Sequence, residues 1–396
     1  MTNLLPQRNK RREFQSGFSL IELMIAITLG LLIMSGLTTI FVKNSQARSE
    51  IERSNRQLES GRYAVALLTE DLRMAGFLGS FDPLTSIIGP NFPPLGAGSA
   101  PDPVTPALTA MPDPCTTSVN PLVSPNLQDA FFFHVQGIDN TSTTPSCISD
   151  ARAGSDILVI RRLSTCVAGP TLEPGCEAVI NGAPYFQASN CNLANELAMN
   201  ITNSFLNYRA HFTLDTNTAS MNDPSAPTTK HALNCTTAAE YRRYLTHIYF
   251  VANNNIGTDG IPTLKRAELG AAQFTIVPLV EGIETIQFEY GIDANDDGAV
   301  DGYSADPNLT SCGLPTANTL NSVQCWLRTY AVKVNLLARN VEKSPGHSDS
   351  KTYTLGLKAD GTSNVFPASG TYGDMYKRHA YNGAVRLDNP SGRRTP

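Results

Sequence analysis

The chain has 396 residues, 41% of them hydrophobic, with 26 prolines and 29 glycines. That is enough apolar material for a real core, in one large elaborated domain or two to three modest ones, broken by many turns. Its net charge is −5, but the first 17 residues contribute +3 and leave −8 for the remainder. Phosphate neutralisation needs clustered Lys and Arg, so a body this acidic is a poor nucleic-acid binder and no nucleic-acid contact is expected of it.

A basic leader (Arg8, Lys10, Arg11, Arg12) precedes an apolar run from Phe18 to Val42 whose only charge is Glu22. As a helix, this run reaches about 38 Å, more than the roughly 30 Å of a hydrocarbon core. The basic cluster predicts a cytoplasmic N-terminus and an outward-facing remainder. Secretory signals place the small residue after the apolar run, whereas Gly17 stands before it. The cleavable part is therefore expected to be the polar leader, residues 1–17, with the apolar helix retained. A carboxylate inside such a run is costly and marks a function.

The stretch Gly17-Phe18-Ser19-Leu20-Ile21-Glu22-Leu23 resembles the processing motif of type IV pilins and type II secretion pseudopilins. The resemblance implies that a prepilin peptidase cuts between Gly17 and Phe18 and that the new N-terminus is methylated. It also implies that Glu22 neutralises the N-terminal amine during assembly, since opposite charges in a low dielectric relieve each other's burial cost. Major pilins usually carry a proline further along this helix, and the matching position here is Thr39. Gly30 and Gly36 remain as weak points, each costing about 1 kcal/mol against alanine.

From Lys43 the chain turns charged and amphipathic. Ile51, Leu58, Val65 and Leu72 recur every seven residues, with Leu68 and Ala75 as companions. The helix is predicted to run on to about Ala75, with Gly76 and Gly79 ending it; a break near Gly61 is the alternative. The segment Arg62-Tyr63-Ala64, followed by Asp71-Leu72-Arg73 and Ala75-Gly76-Phe77, resembles the end of the first helix in PilW-type minor pilins.

Residues 80–128 are too rich in proline for helix or central strand and read as a long loop or insertion. Strands are predicted at 130–138, 156–163, 247–253, 272–280, 284–292, 328–339, 351–357 and 380–387. Without βαβ alternation the sheets should be antiparallel. Leu279–Glu284 and Tyr290–Asp293 also resemble PilW-type sequences. The expected fold is α+β and type IV pilin-like. A long N-terminal helix, with residues 18–42 in the membrane and 43–79 amphipathic, packs on an antiparallel β-domain, residues 129–396, with long loops.

All eight cysteines lie beyond residue 114 and none forms a Cys-x-x-Cys pair. Disulfides in an oxidising compartment fit this scatter, with buried thiols as the alternative. Eight cysteines allow 105 connectivities, and short loops favour Cys166–Cys176 and Cys312–Cys325.

Asp293, Asn295, Asp297 and Asp301 occupy positions 1, 3, 5 and 9 of a calcium loop, with the Ala299 carbonyl at position 7 and Gly298 at the turn. Ser304 replaces the bidentate Glu, and turn chemistry alone explains the same residues. Calcium is the one cofactor expected. No catalytic set is recognisable, so an enzyme is not expected. Arg242–His247 reads as a solvated basic patch, and Tyr249, Tyr290 and Tyr330 as packing residues.

The resemblance implies a minor pilin of a type IV pilus, needed for assembly and placed near the tip, with roles in motility and adhesion. Its partners would be other minor pilins, the major pilin, a PilY-type adhesin, the prepilin peptidase and the inner-membrane assembly platform. It would wait in the inner membrane with its C-terminal domain periplasmic. Two alternatives are a J-type minor pseudopilin of a type II secretion system and a membrane-anchored calcium-dependent adhesin.

Overall fold

The structure, a computed structural model, describes residues 17, 19–81, 111–120, 126–139, 144–169, 174–191, 212–295, 297–315, 318 and 320–392. The leader, Phe18 and most of the proline-rich insertion lie outside these described residues. The chain divides into two compact units, Met1–Arg53 and Ser54–Pro396.

Helix α1 spans Leu20–Met74, a proline-free sequence. In the first unit its apolar residues, from Leu20 to Val42, are all exposed. Thr28, Ser35, Thr38 and Thr39 turn their hydroxyls back onto carbonyls three or four residues earlier, at 2.8–2.9 Å. Polar side chains satisfied within the helix do not oppose an apolar surround.

In the second unit α1 buries Gln57, Gly61, Ala64, Leu68, Asp71 and Leu72. This stripe differs from the seven-residue repeat: Ile51 stays 61% exposed, while Leu58 and Val65 are half-buried. A straight helix turns every 3.6 residues, so a strict heptad drifts off the contact face. No break occurs at Gly61, where a Cβ would lie 2.2 Å from Cε2 of Tyr381. The missing side chain lets that ring lie on the helix, and the Tyr381 hydroxyl donates to Leu58 O at 3.3 Å. Gly76, with φ of 69°, takes the left-handed conformation just beyond the helix end.

Five further short helices or turns and thirteen strands follow among the described residues. Strands β1 (Val135–Ile138), β2 (Ile157–Leu163), β3 (Tyr185–Ala188), β4 (Phe212–Asp215), β5 (Tyr241–Ala252), β6 (Thr263–Leu269) and β7 (Phe274–Glu281) form one sheet. Its order is β1-β2-β5-β3-β4, with β6 between β5 and β7. Strands β8 (Ile283–Ile292), β9 (Gly302–Ser304), β10 (Thr329–Arg339) and β13 (Arg378–Arg386) form a second, ordered β13-β10-β8-β9. β11 (Tyr353–Leu357) and β12 (Ser363–Phe366) make a hairpin. Every strand pairing is antiparallel.

Both sheets share one core with α1. Leu68 and Leu72 belong to one buried cluster with Val135, Ile160, Tyr249, Phe288 and Val334. Tyr249, Tyr290 and Tyr330 are packing residues, at most 2% exposed. β8 is buried on both faces because the hairpin covers its polar side. Asn364 donates to Gln287 Oε1 at 2.7 Å, and Leu357 N to Glu289 Oε1 at 3.2 Å.

The predicted strand at 130–138 is only half a strand. Asn126 caps helix α2 (Leu127–Ala130), accepting from Asp129 N at 3.0 Å. Phe131 then stacks on Phe186 and Phe212, at ring distances of 4.6 and 5.4 Å. Aromatic runs suit strands, but here the cap and this cluster win locally. Strands β3, β4, β6, β9 and β12 were not expected.

Candidate functional site

The helix N-terminus carries the first site. Ser19 stands just before α1 and Glu22 is in its first turn. The Ser19 backbone N–H donates to Glu22 Oε2 at 3.0 Å, and Leu23 N donates to Ser19 O at 3.1 Å. Ser-x-x-Glu is half of a capping box, in which the third helical residue reaches back to the cap's N–H. Sequence reasoning missed this local role, although the Ser-x-x-Glu spacing signals it. The carboxylate therefore points towards the end of the helix that a cut after Gly17 would free. Gly17 itself is exposed, with nothing within 4 Å of where a side chain would start.

The Asp-rich loop is the second. Asp293 is fully buried, and its two carboxylate oxygens accept from Asp297 N and Gly298 N at 3.2 and 2.8 Å. Asp301 Oδ2 accepts from Ala294 N at 2.7 Å and Asn295 N at 3.2 Å. Asn295 Nδ2 sits 3.2 Å from Asp297 Oδ2 and 3.4 Å from Asp301 Oδ1, a donor on which two carboxylates converge. Among the described residues, no group of three or more His, Cys, Asp or Glu side chains is gathered to hold a metal.

Cysteines pair as Cys115–Cys147, Cys166–Cys176, Cys191–Cys235 and Cys312–Cys325. The last joins a 3₁₀ turn, Thr310–Gly313, to helix α4, Ser322–Leu327; α3 is the short helix Thr218–Asn222 and α5 is Asp388–Gly392.

Arg242–His247 is not simply a solvated patch, because His247 is buried. Its Nδ1 lies 2.6 Å from Asp71 Oδ2, which also accepts from the Tyr249 hydroxyl at 2.8 Å. Arg162 Nε donates to Asp71 Oδ1 at 2.8 Å. Burial alone would raise the Asp71 carboxyl, but the hydrogen bond and charge of His247, then Arg162, hold it well below the usual range. Tyr249 is pushed up, first by burial and then by Asp71's charge. This cluster locks α1 to β2 and β5, so its role is structural.

Two family models match the chain. Residues 248–389 match the type IV pilus-assembly protein W family, and residues 14–38 match the prokaryotic N-terminal methylation motif. A type IV-like pilin from Thermus thermophilus is 17% identical, over 40% of this chain and 71% of that one, with a TM-score of 0.24. No curated protein matches significantly.

Proposed function

We propose, from the premise that this chain is a PilW-like type IV minor pilin, that it primes pilus assembly from the inner membrane and ends near the filament tip. One observation carries this reading: a lone carboxylate, Glu22, turned to the N-terminal end of an exposed apolar helix long enough to cross a membrane. Residues 18–42 anchor the chain with its N-terminus cytoplasmic and its C-terminal domain periplasmic. Prepilin peptidase cuts between Gly17 and Phe18, and the amine of methylated Phe18 pairs with a neighbour's Glu22. The partners are the assembly platform, the major pilin, other minor pilins and a PilY-type adhesin. The work is assembly, motility and adhesion rather than catalysis.

Two substitutions separate the charge of Glu22 from its capping role. Gln also serves at the third helical position of a capping box, whereas Ala does not. Glu22→Gln should therefore leave the helix intact yet fall out of filaments as completely as Glu22→Ala. Comparing the two in sheared pili checks this. Wild-type incorporation of Glu22→Gln would leave only the cap.

The Asp293–Asp301 loop is proposed as a weak calcium site, favoured by the two carboxylates that converge on Asn295. Asp297 and Asp301 would bind the ion, with Asp293, Asn295 and the Ala299 carbonyl completing the set. Binding only the folded state at 100 times the dissociation constant stabilises by about 2.7 kcal/mol. The melting point should therefore rise several degrees in millimolar calcium over chelator, and Asp297→Ala should erase the difference. Indifference to calcium in the wild type returns the loop to turn chemistry.

A further inference from the structure

Asp71 locks α1 in place, yet two of the side chains it holds each keep one nitrogen unused. Its Oδ1 accepts from Arg162 Nε and its Oδ2 faces His247 Nδ1, so one carboxylate fixes both. Arg162 Nη2 and His247 Nε2 have no partner among the described residues. Both side chains line one cavity of about 320 Å³, at the small end of the range for ligand pockets. Strands β2, β3, β5 and β6 contribute to it, with the loop that the Cys166–Cys176 disulfide closes. His247 is only 7% exposed, and a polar atom so deep is costly unless water or a ligand meets it. Two more donors reach the cavity. Tyr185, 2% exposed, accepts from Ile180 N at 2.9 Å, which leaves its hydroxyl proton free to donate. Arg243 Nη1 donates to Glu177 at 3.2 Å, but that carboxylate is 81% exposed and such pairs are weak.

Charge around the cavity balances, with Arg162, Arg243 and Arg266 paired to Asp71, Glu177 and Glu268. Net field therefore selects nothing, and directed donors must choose the ligand. Arg266 Nε is taken up by Glu268, which removes that pair. Arg162, Arg243 and Tyr185 stand on three different strands and share no single two-pronged fork of the kind that holds a planar carboxylate. Separate donors suit the spread oxygens of a tetrahedral anion. His247 decides which anion. Asp71 is ionised and can only accept, so Nδ1 carries the proton and the neutral ring presents Nε2 as an acceptor. Hydrogen phosphate has an O–H for it at neutral pH, whereas sulfate has none and a phosphate monoester has lost most of its own. We infer that this cavity binds free hydrogen phosphate, with Arg162, Arg243 and Tyr185 donating to its oxygens and His247 Nε2 accepting from its hydroxyl. Asp71 is then a positioning residue for the site. The inference is independent of the filament reading.

The test titrates the full chain in detergent micelles, at neutral pH, with inorganic phosphate, sulfate and glucose 6-phosphate, followed by calorimetry. Phosphate should bind at one site and sulfate about tenfold more weakly, the effect of one lost hydrogen bond. His247→Asn sets an amide nitrogen where Nδ1 stands, so it keeps the bond to Asp71 and removes Nε2. It should lower phosphate affinity about tenfold and erase the preference over sulfate. Its melting point without phosphate should stay near wild type. If that variant does not fold, Arg243→Gln provides the loss of phosphate affinity from the other side of the cavity. Absence of saturable phosphate binding overturns the inference. Equal binding of phosphate and sulfate does the same, as does phosphate binding that neither substitution weakens. Tighter binding of glucose 6-phosphate than of phosphate overturns the free ion as the ligand.

Discussion

Asp71→Ala is expected to destabilise the unit formed by residues 54–396 by about 3–5 kcal/mol, the usual cost of removing one partner of a buried ion pair. The substitution strips Arg162, His247 and Tyr249 of a shared acceptor in a site where Asp71 is only 6% exposed. Chemical denaturation of the full chain in detergent measures it. The wild type should also show a matching pH dependence. Because the folded carboxyl is held below its ordinary value, its stabilisation is complete above the unfolded pKa of about 3.9. It is lost as pH falls below that value. Asp71→Ala should flatten this acid limb, and an unchanged limb would assign it to other carboxylates.

Arg378→Leu should cost about as much, again roughly 3–5 kcal/mol. The Arg378 side chain is fully buried at the start of β13. Its Nη2 donates to Glu284 Oε1 at 3.1 Å and Asp374 Oδ2 at 2.7 Å, and its Nη1 to Asp349 Oδ2 at 3.0 Å. Tyr372 stacks on the guanidinium, whose carbon lies 3.5 Å from the ring centroid. Burial alone would lower the Arg378 pKa, but the bonds to Asp374 and Glu284 push it up instead. Without the cation, the Glu284 and Asp349 carboxylates stay buried and lose their strongest partner. Arg378→Lys should recover little, since an ammonium cannot reproduce the planar fork that spans three carboxylates. Thermal melts of both variants check this, and near-wild-type melting of either contradicts it.

The legible parts of this chain were those written in contiguous residues. The N-terminal methylation motif, apolar run and helix end at Gly76 need no tertiary information. Strands such as β5, β8 and β10 announce themselves through β-branched and aromatic runs. β6, with the sequence Thr-Leu-Lys-Arg-Ala-Glu-Leu, does not. Its Arg266 pairs with Glu268 and Tyr249, so its polar residues belong to the domain's own network. Asp71 and His247 are 176 residues apart, and Glu284 and Arg378 are 94. No local pattern links them. Gly61 looked like a breaker because the ring it accommodates, Tyr381, comes from the last strand.

We propose that this chain serves a type IV pilus rather than a secretion pseudopilus or a free-standing adhesin. Deleting the gene and scoring surface pili against secreted enzymes tests it most directly. Loss of pili with normal secretion, restored by the wild-type chain but not by Glu22→Gln, is the predicted result. Normal piliation with failed secretion would assign the chain to the pseudopilus, and normal pili with normal secretion would contradict an assembly role altogether.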